Sequence, residues 1–393
     1  MYEEEITGES LMKKIAFVTG SRADYGIVRR YLDLLNKDDD IDLKILVTGA
    51  LLSETYGNQV KLIYEDGFDI AAEIKVDLDS SSNKMILHTM AQTMEGFADH
   101  FATNRYDLLI ILGDRYEMLS VATAAAMQQL PILHIHGGEA TYGNYDEFIR
   151  HAITKMSLYH FTATEEYRKR VIQLGEQPDK VFYLGALGAE NCLYMDEKNV
   201  PDFVKCLPER KYFVILFHPE TLTNRSTLEQ IKELLCAISK FKDYQFVFLG
   251  TNADTHSDII RNTIKLFVEE NDNTLYFKNL HPDAYHYLLK KGICLIGNSS
   301  SGIIEAPSLG IYTINIGDRQ NGRVRGNSVI DIKCESTDIG EAIENVLSYN
   351  TNIEKIVNPY YQKDTACHYY TKTKELLSGL ESDISEPKRF YDI

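Results

Sequence analysis

The 393-residue sequence has no tryptophan, an absence from which nothing about function follows. Other absences exclude more. No apolar run approaches the roughly 20 residues that cross a bilayer, and no signal-peptide pattern is present, so neither a membrane partner nor export is expected and the location read from the sequence is cytoplasmic. Basic residues are in deficit: 41 Lys and Arg stand against 58 Asp and Glu, a formal charge of −17. Such a chain has no basic excess with which to displace counterions from a phosphate backbone, and nucleic acid is not an expected partner. An anionic small molecule is still allowed, because a few arginines can cluster locally in an acidic protein. The six cysteines (Cys192, Cys206, Cys236, Cys294, Cys334 and Cys367) show no CxxC spacing. They read as reduced thiols of a cytosolic protein, neither a disulfide framework nor a zinc site. GxGxxG is also missing, which leaves dinucleotide binding poorly supported.

What the chain does contain is alternation. Hydrophobic content of 44% and charged content of 25% are those of a globular protein, and the length suits two domains. Short apolar runs such as 14–19, 41–47, 108–112 and 131–135 each end in Gly, Ser, Thr, Asp or His, and each is followed by a helical pattern. Strands alternating with helices predict parallel βαβ units. The periodicity lapses between Asp196 and Glu209, where Pro201 and Pro208 fall, and then restarts with the strand 212–217. We therefore expect an α/β protein of two doubly wound halves facing a cleft: a disordered extension at 1–11, a first domain at 12–200, a second at 201–365, and a helix with a tail at 366–393. Apolar helices predict self-association, as a homodimer or homotetramer.

In open α/β sheets ligands bind beyond the carboxyl ends of strands, and that is where the ionisable residues lie. One buried run delivers Gly113-Asp114-Arg115; the next delivers His136-Gly137-Gly138-Glu139. A helix then opens at Asp146 and carries Arg150 one turn later, on the same face, where a surface ion pair would look the same. His134 lies deeper in its strand and reads as a satisfied buried histidine. With His136 and Glu139 it would make a metal site only with a further ligand that no spacing supplies, so no metal is expected. His218 closes the run YFVILFHPET and faces the cleft as a candidate acid. The segment GNSSSGIIEAPSLG places Ser299, Ser300 and Ser301 at the start of a helix expected over 302–308. That is an anion site or an ordinary N-cap, with Glu305 a turn further on, placed for ribose hydroxyls. Arg319, Arg323 and Arg325 follow, a cluster suited to a diphosphate or to a solvated loop. In GSRADYG, Asp24 reads most simply as an N-cap, while Arg22 is a candidate ligand contact.

Taken in order, GSRADYG, LGDRYE, HIHGGE with YDEFIRH, FHPET, GTNAD, GNSSSG with Glu305, and INIGDRQ with GR resemble the UDP-N-acetylglucosamine 2-epimerase family, and within it the hydrolysing epimerases of bacterial sialic-acid synthesis. The resemblance runs from Met12 over nearly the whole chain. It implies two Rossmann-like domains of the GT-B type, with the last helix crossing back to the first domain and UDP held mainly by the second. It implies that Ser299 and Ser300 hold phosphate, that Glu305 holds ribose, that Asn252 and the segment around His281 meet the nucleotide end, and that Arg22 and Arg319 neutralise the diphosphate. Asp114, Asp146 and His218 match positions used for chemistry, with Arg115 and Arg150 orienting them. Many relatives carry glutamate where this chain has His136, so the corresponding proton transfer falls to His136, to Glu139 or to another group. The implied reaction turns UDP-GlcNAc and water into N-acetylmannosamine and UDP through a glycal, without cofactor. A non-hydrolysing epimerase, a hydrolysing one acting on a diacetamido-6-deoxy sugar nucleotide, a GT-B glycosyltransferase and a nucleotide-sugar sensor are the alternatives.

Overall fold

The structure is a computed structural model that describes residues 12–79, 81–142, 145–220, 223–250, 256–348 and 356–393. Its first sheet has seven strands: β1 (Lys13–Thr19), β2 (Ile41–Thr48), β3 (Ile70–Ile74), β4 (Leu108–Leu112), β5 (Ile132–Ile135), β6 (Tyr159–Thr162) and β7 (Val181–Tyr183). They lie in the order β3-β2-β1-β4-β5-β6-β7, and every pairing is parallel. The second sheet has six: β8 (Tyr212–Leu216), β9 (Gln245–Leu249), β10 (Thr274–Phe277), β11 (Cys294–Gly297), β12 (Tyr312–Ile316) and β13 (Val329–Ile332). Their order is β10-β9-β8-β11-β12-β13, again all parallel.

Period-two alternation explains how each strand serves two cores. In β1, Ile15 and Phe17 pack with Tyr25, Val28, Tyr31 and Leu32 of the helix Arg22–Asn36. Ala16 and Val18 face the other way, onto Phe97 of the helix Asn83–Thr103 and Val121 of the helix Tyr116–Met127. With both faces covered, β4 can be Leu-Leu-Ile-Ile-Leu throughout, all of it buried. The strand order reverses between β1 and β4 and between β8 and β11, so each half has a switch point whose carboxyl-end crevice opens on the cleft.

Two elements differ from the sequence expectation. The helix expected over 302–308 is a single turn, Ser301–Ile304, followed by turns. Pro307 has no N–H to donate and disfavours helical backbone at the residue before it, which stops the helix early. Asp24 is not the cap of its helix: Ser21 is, its Oγ accepting the Asp24 N–H at 3.2 Å. The final helix, Thr365–Ser385, lies against Arg22–Asn36. Tyr369 and Leu377 join the first sheet's core, and Tyr31 and Thr373 share a hydroxyl hydrogen bond of 2.8 Å.

Candidate active site

A cavity of about 200 Å³ lies between the two sheets. From the first half it is lined by Arg22, Asp24, Asp114, His136 and Glu139; from the second by His218, Tyr285, His286, Ser299, Ser300, Ser301, Glu305 and Arg323.

Asp114 follows β4 beyond Gly113, whose φ of +78° lets the chain turn out of the sheet. Its carboxylate pairs with Arg150, a guanidinium with 0% exposure. One terminal nitrogen of Arg150 donates to the Glu139 carbonyl at 2.8 Å and to Glu147 Oε2 at 2.6 Å; the other bonds Asp114 and, at 2.7 Å, Thr141 Oγ1. Burial pushes the Asp114 carboxyl upward, but Arg150 and Arg323 outweigh it and hold the group below its ordinary value. An anion is thus fixed at the cleft by a cation behind it.

His134, in β5, is the satisfied buried histidine read from the sequence: Nε2 lies 2.8 Å from the Gly113 carbonyl and Nδ1 3.2 Å from Thr154 Oγ1. Burial pushes its pKa down to about 3. His136, at the strand exit with φ of +70°, has Nδ1 3.4 Å from Glu139 Oε1. Burial holds His136 below the usual imidazole range, which leaves it neutral at pH 7. Glu139 pairs through its other oxygen with Arg323 of the second half. Among the described residues no set of three His, Cys, Asp or Glu is arranged to hold a metal ion.

On the opposite wall Asn298, fully buried, ties β8 to β11. Its Oδ1 accepts the His218 N–H at 2.7 Å, and its Nδ2 donates to the His218 carbonyl at 2.8 Å. This fixes His218 at one end of the serine run. Ser301 Oγ donates to Glu305 Oε2 at 2.7 Å and bonds the Tyr285 hydroxyl, and His286 Nε2 lies 3.6 Å from the same Glu305 oxygen. Arg22 crosses between the halves to donate to the Leu280 carbonyl.

Five residues singled out from the sequence stand beside or behind the cavity. Arg150 is behind Asp114, as above. Arg115 bonds the buried Glu117 through Nε and a terminal nitrogen at 3.2 and 3.1 Å. Asp146 is the half-buried first residue of the helix Asp146–Met156. Arg319 donates to the Asn298 carbonyl at 3.1 Å. His281 caps the helix Pro282–Lys291, its Nδ1 accepting the Asp283 N–H at 3.2 Å. Asn252 lies outside the described residues. The arginine cluster does not act together on the cleft either: Arg323 is paired with Glu139, and Arg325 with Asp331 at 2.8 Å. Sequence reasoning missed Asp24, Glu147, Tyr285 and His286. Ser301 was visible in the serine run, whereas Tyr285 and His286 sit in a helix whose sequence carries no signal of a cleft.

Fold and site together define a GT-B-type α/β protein with an ionisable cleft between two parallel sheets. The chain belongs to the UDP-N-acetylglucosamine 2-epimerase family, whose profile matches residues 33–371. An Escherichia coli protein called polysialic acid biosynthesis protein P7 is 46% identical over 387 residues, 97% of this chain and 98% of its own. A Campylobacter jejuni GDP/UDP-N,N'-diacetylbacillosamine 2-epimerase (hydrolyzing) is 36% identical over 340 residues, 86% of this chain and 88% of its own. Among solved structures, the Neisseria meningitidis UDP-GlcNAc 2-epimerase bound to UDP-GlcNAc superposes with a TM-score of 0.77 at 18% identity, over 92% of this chain and 100% of that one.

Proposed function

We propose that the protein is a hydrolysing UDP-N-acetylglucosamine 2-epimerase that releases N-acetylmannosamine and UDP, acts in the cytoplasm as a homo-oligomer without a cofactor, and feeds sialic-acid synthesis. The observation that carries this reading is the arginine-fixed anion Asp114 beside the neutral His136, directly across a small cavity from the Ser299–Glu305 segment. The names of the relatives support it: the E. coli protein's concerns polysialic acid, and the C. jejuni enzyme's says hydrolyzing.

The chemistry demands such a site. The hydrogen on C2 is scarcely acidic, so departure of UDP from C1 must lead, and deprotonation must accompany positive charge developing at C1. Arg22 and the hydroxyls of Ser299 and Ser300 would receive the diphosphate, and Glu305 the ribose. Asp114, held as an anion, would stabilise the charge at C1. The proton leaves C2 to the His136–Glu139 pair on one face. His218, on the far wall, would deliver a proton to the other face of C2 as water adds at C1. A cleft enclosed by both halves aligns the groups and limits bulk water.

Product analysis tests the proposal. Incubation with UDP-N-acetylglucosamine should give UDP and free N-acetylmannosamine in equal amounts. Accumulation of UDP-N-acetylmannosamine would place the protein among non-hydrolysing epimerases. A second reading, favoured by the name of the C. jejuni relative, has a diacetamido-6-deoxy sugar nucleotide as substrate; turnover of that compound, with none of UDP-N-acetylglucosamine, would establish it.

A further inference from the structure

Arg323 looks like a phosphate ligand by composition, yet it is already engaged. It has 9% exposure and its guanidinium pairs with Glu139, itself 3% exposed. Turning it toward a diphosphate would leave the Glu139 carboxylate buried and uncompensated, a loss larger than a surface contact returns. The other Glu139 oxygen lies 3.4 Å from His136 Nδ1, an ion-pair distance with no hydrogen bond yet closed, and among the described residues His136 Nε2, buried in the cavity wall, has no hydrogen-bond partner. A hydrogen on Nδ1 directed at a carboxylate leaves the lone pair on Nε2, which is the tautomer a base requires.

Arg323 reaches Glu139 because its loop is docked on the first half. The Tyr142 N–H donates to the Asn321 carbonyl at 3.2 Å, and the Val324 N–H to the Tyr167 hydroxyl at 2.9 Å. The Tyr360 hydroxyl donates to the Val324 carbonyl at 2.8 Å. At Gly322, φ is +86° and a Cβ would come within 2.5 Å of the Tyr142 ring, so the approach needs glycine.

We propose that Arg323 is a positioning residue for proton transfer: it holds Glu139 against Nδ1 of His136, so that Nε2 of His136 takes the C2 proton, and the relay is complete only when the loop of the second half is seated on the first. This rests on the epimerase reading. As the C1–O bond breaks and its electron pair leaves with UDP, the C2–H pair becomes the C1=C2 bond and the proton passes to Nε2. The imidazolium is then balanced by Glu139. Water's oxygen next bonds C1, its proton going to a base, while C2 takes a proton on the opposite face. The imidazolium finally loses its proton to solvent, so one water is consumed for each UDP released.

The charged groups facing His136 are Glu139, Arg323, Asp114 and Arg150. Removing the cation should make His136 easier to protonate; removing the Glu139 charge should make it harder. The test is therefore a pair of opposed shifts. Arg323→Met should lower kcat by about 100-fold or more, the scale of a lost acid–base contribution, with KM unchanged. It should move the acid limb of the kcat profile to higher pH, whereas Glu139→Gln lowers kcat and moves that limb to lower pH. Arg323→Lys, which keeps the charge and guards against a folding defect in Arg323→Met, should hold the limb in place and recover part of kcat. The His136 titration, followed by NMR in the full-length histidine-labelled protein without substrate, should shift in the same two directions. A raised KM at unchanged kcat, or a His136 titration indifferent to Arg323 and Glu139, would overturn the proposal. Absence of turnover of either sugar nucleotide by the unsubstituted protein would instead refute the epimerase reading, and the titration would then decide the role of Arg323 alone.

Discussion

Asp24 shows how much a single cap assignment can hide. Because Ser21 accepts its N–H and caps the helix, the Asp24 carboxyl is released to face the cavity, near Arg22 and across from Ser299. Burial raises its pKa to about 6, with Arg115 pulling the other way. Below pH 6 the carboxyl is neutral and can donate a hydrogen bond to an anion; above it, a negative charge stands in the cleft. UDP affinity measured by calorimetry should therefore weaken as pH rises through 6, and Asp24→Asn should flatten that dependence. An equally steep profile in the variant would contradict the assignment. Asp114, His136, Glu139 and His218 were legible as cleft residues, since each follows a buried run that stops abruptly at a polar residue. Asp24 was not, because an acid at a helix start has a commoner explanation. Nor were Tyr285 and His286, which reach the cavity only through the docking of a helix whose own pattern is ordinary.

The elements that carry the site are the ends of β4, β5, β8 and β11. Their strands were readable from the sequence because aliphatic runs this short, bounded by glycine and polar residues, admit little else in an alternating chain. The helix after Ser301 is shorter than its sequence suggests, since the serines mark its start plainly while Pro307 ends it through the backbone of the residues before it. The junction most exposed to a small change is Gly297. Its φ is +148°, and a Cβ there would come within 2.0 Å of the Leu216 carbonyl, which belongs to the neighbouring β8. Gly297→Ala must part the ends of β8 and β11, disturbing Asn298, its two bonds to the His218 backbone and the serines beyond. A cost of about 1–3 kcal/mol follows from forcing such backbone, and UDP affinity should fall by about tenfold or more. Thermal unfolding and UDP titration of the variant check both numbers; an alanine form with full affinity would show that this junction does not set the serine geometry.

For the molecule as a whole, two acidic halves enclose a cleft in which the cations are few and committed. Arg150 serves Asp114, and Arg323 serves Glu139. The chain also binds itself together: the helix Thr365–Ser385 returns to the first sheet, and Lys388 beyond it bonds Glu176 at 2.6 Å. Neither crossing could be derived from local pattern, since a helix does not announce which sheet it will meet. The return of the last helix was expected only from the family resemblance. Ionisable side chains stand on both walls of the cavity, Asp114, His136 and Glu139 on one and His218 on the other, which is what the proposed elimination followed by hydration requires. The direct test is solvent deuterium. Turnover of UDP-N-acetylglucosamine in D2O, followed by NMR, should yield free N-acetylmannosamine carrying deuterium at C2 as UDP appears. Release of the sugar with its original hydrogen and configuration at C2 would contradict the account, because the cleft would then be hydrolysing a glycosidic bond without touching C2.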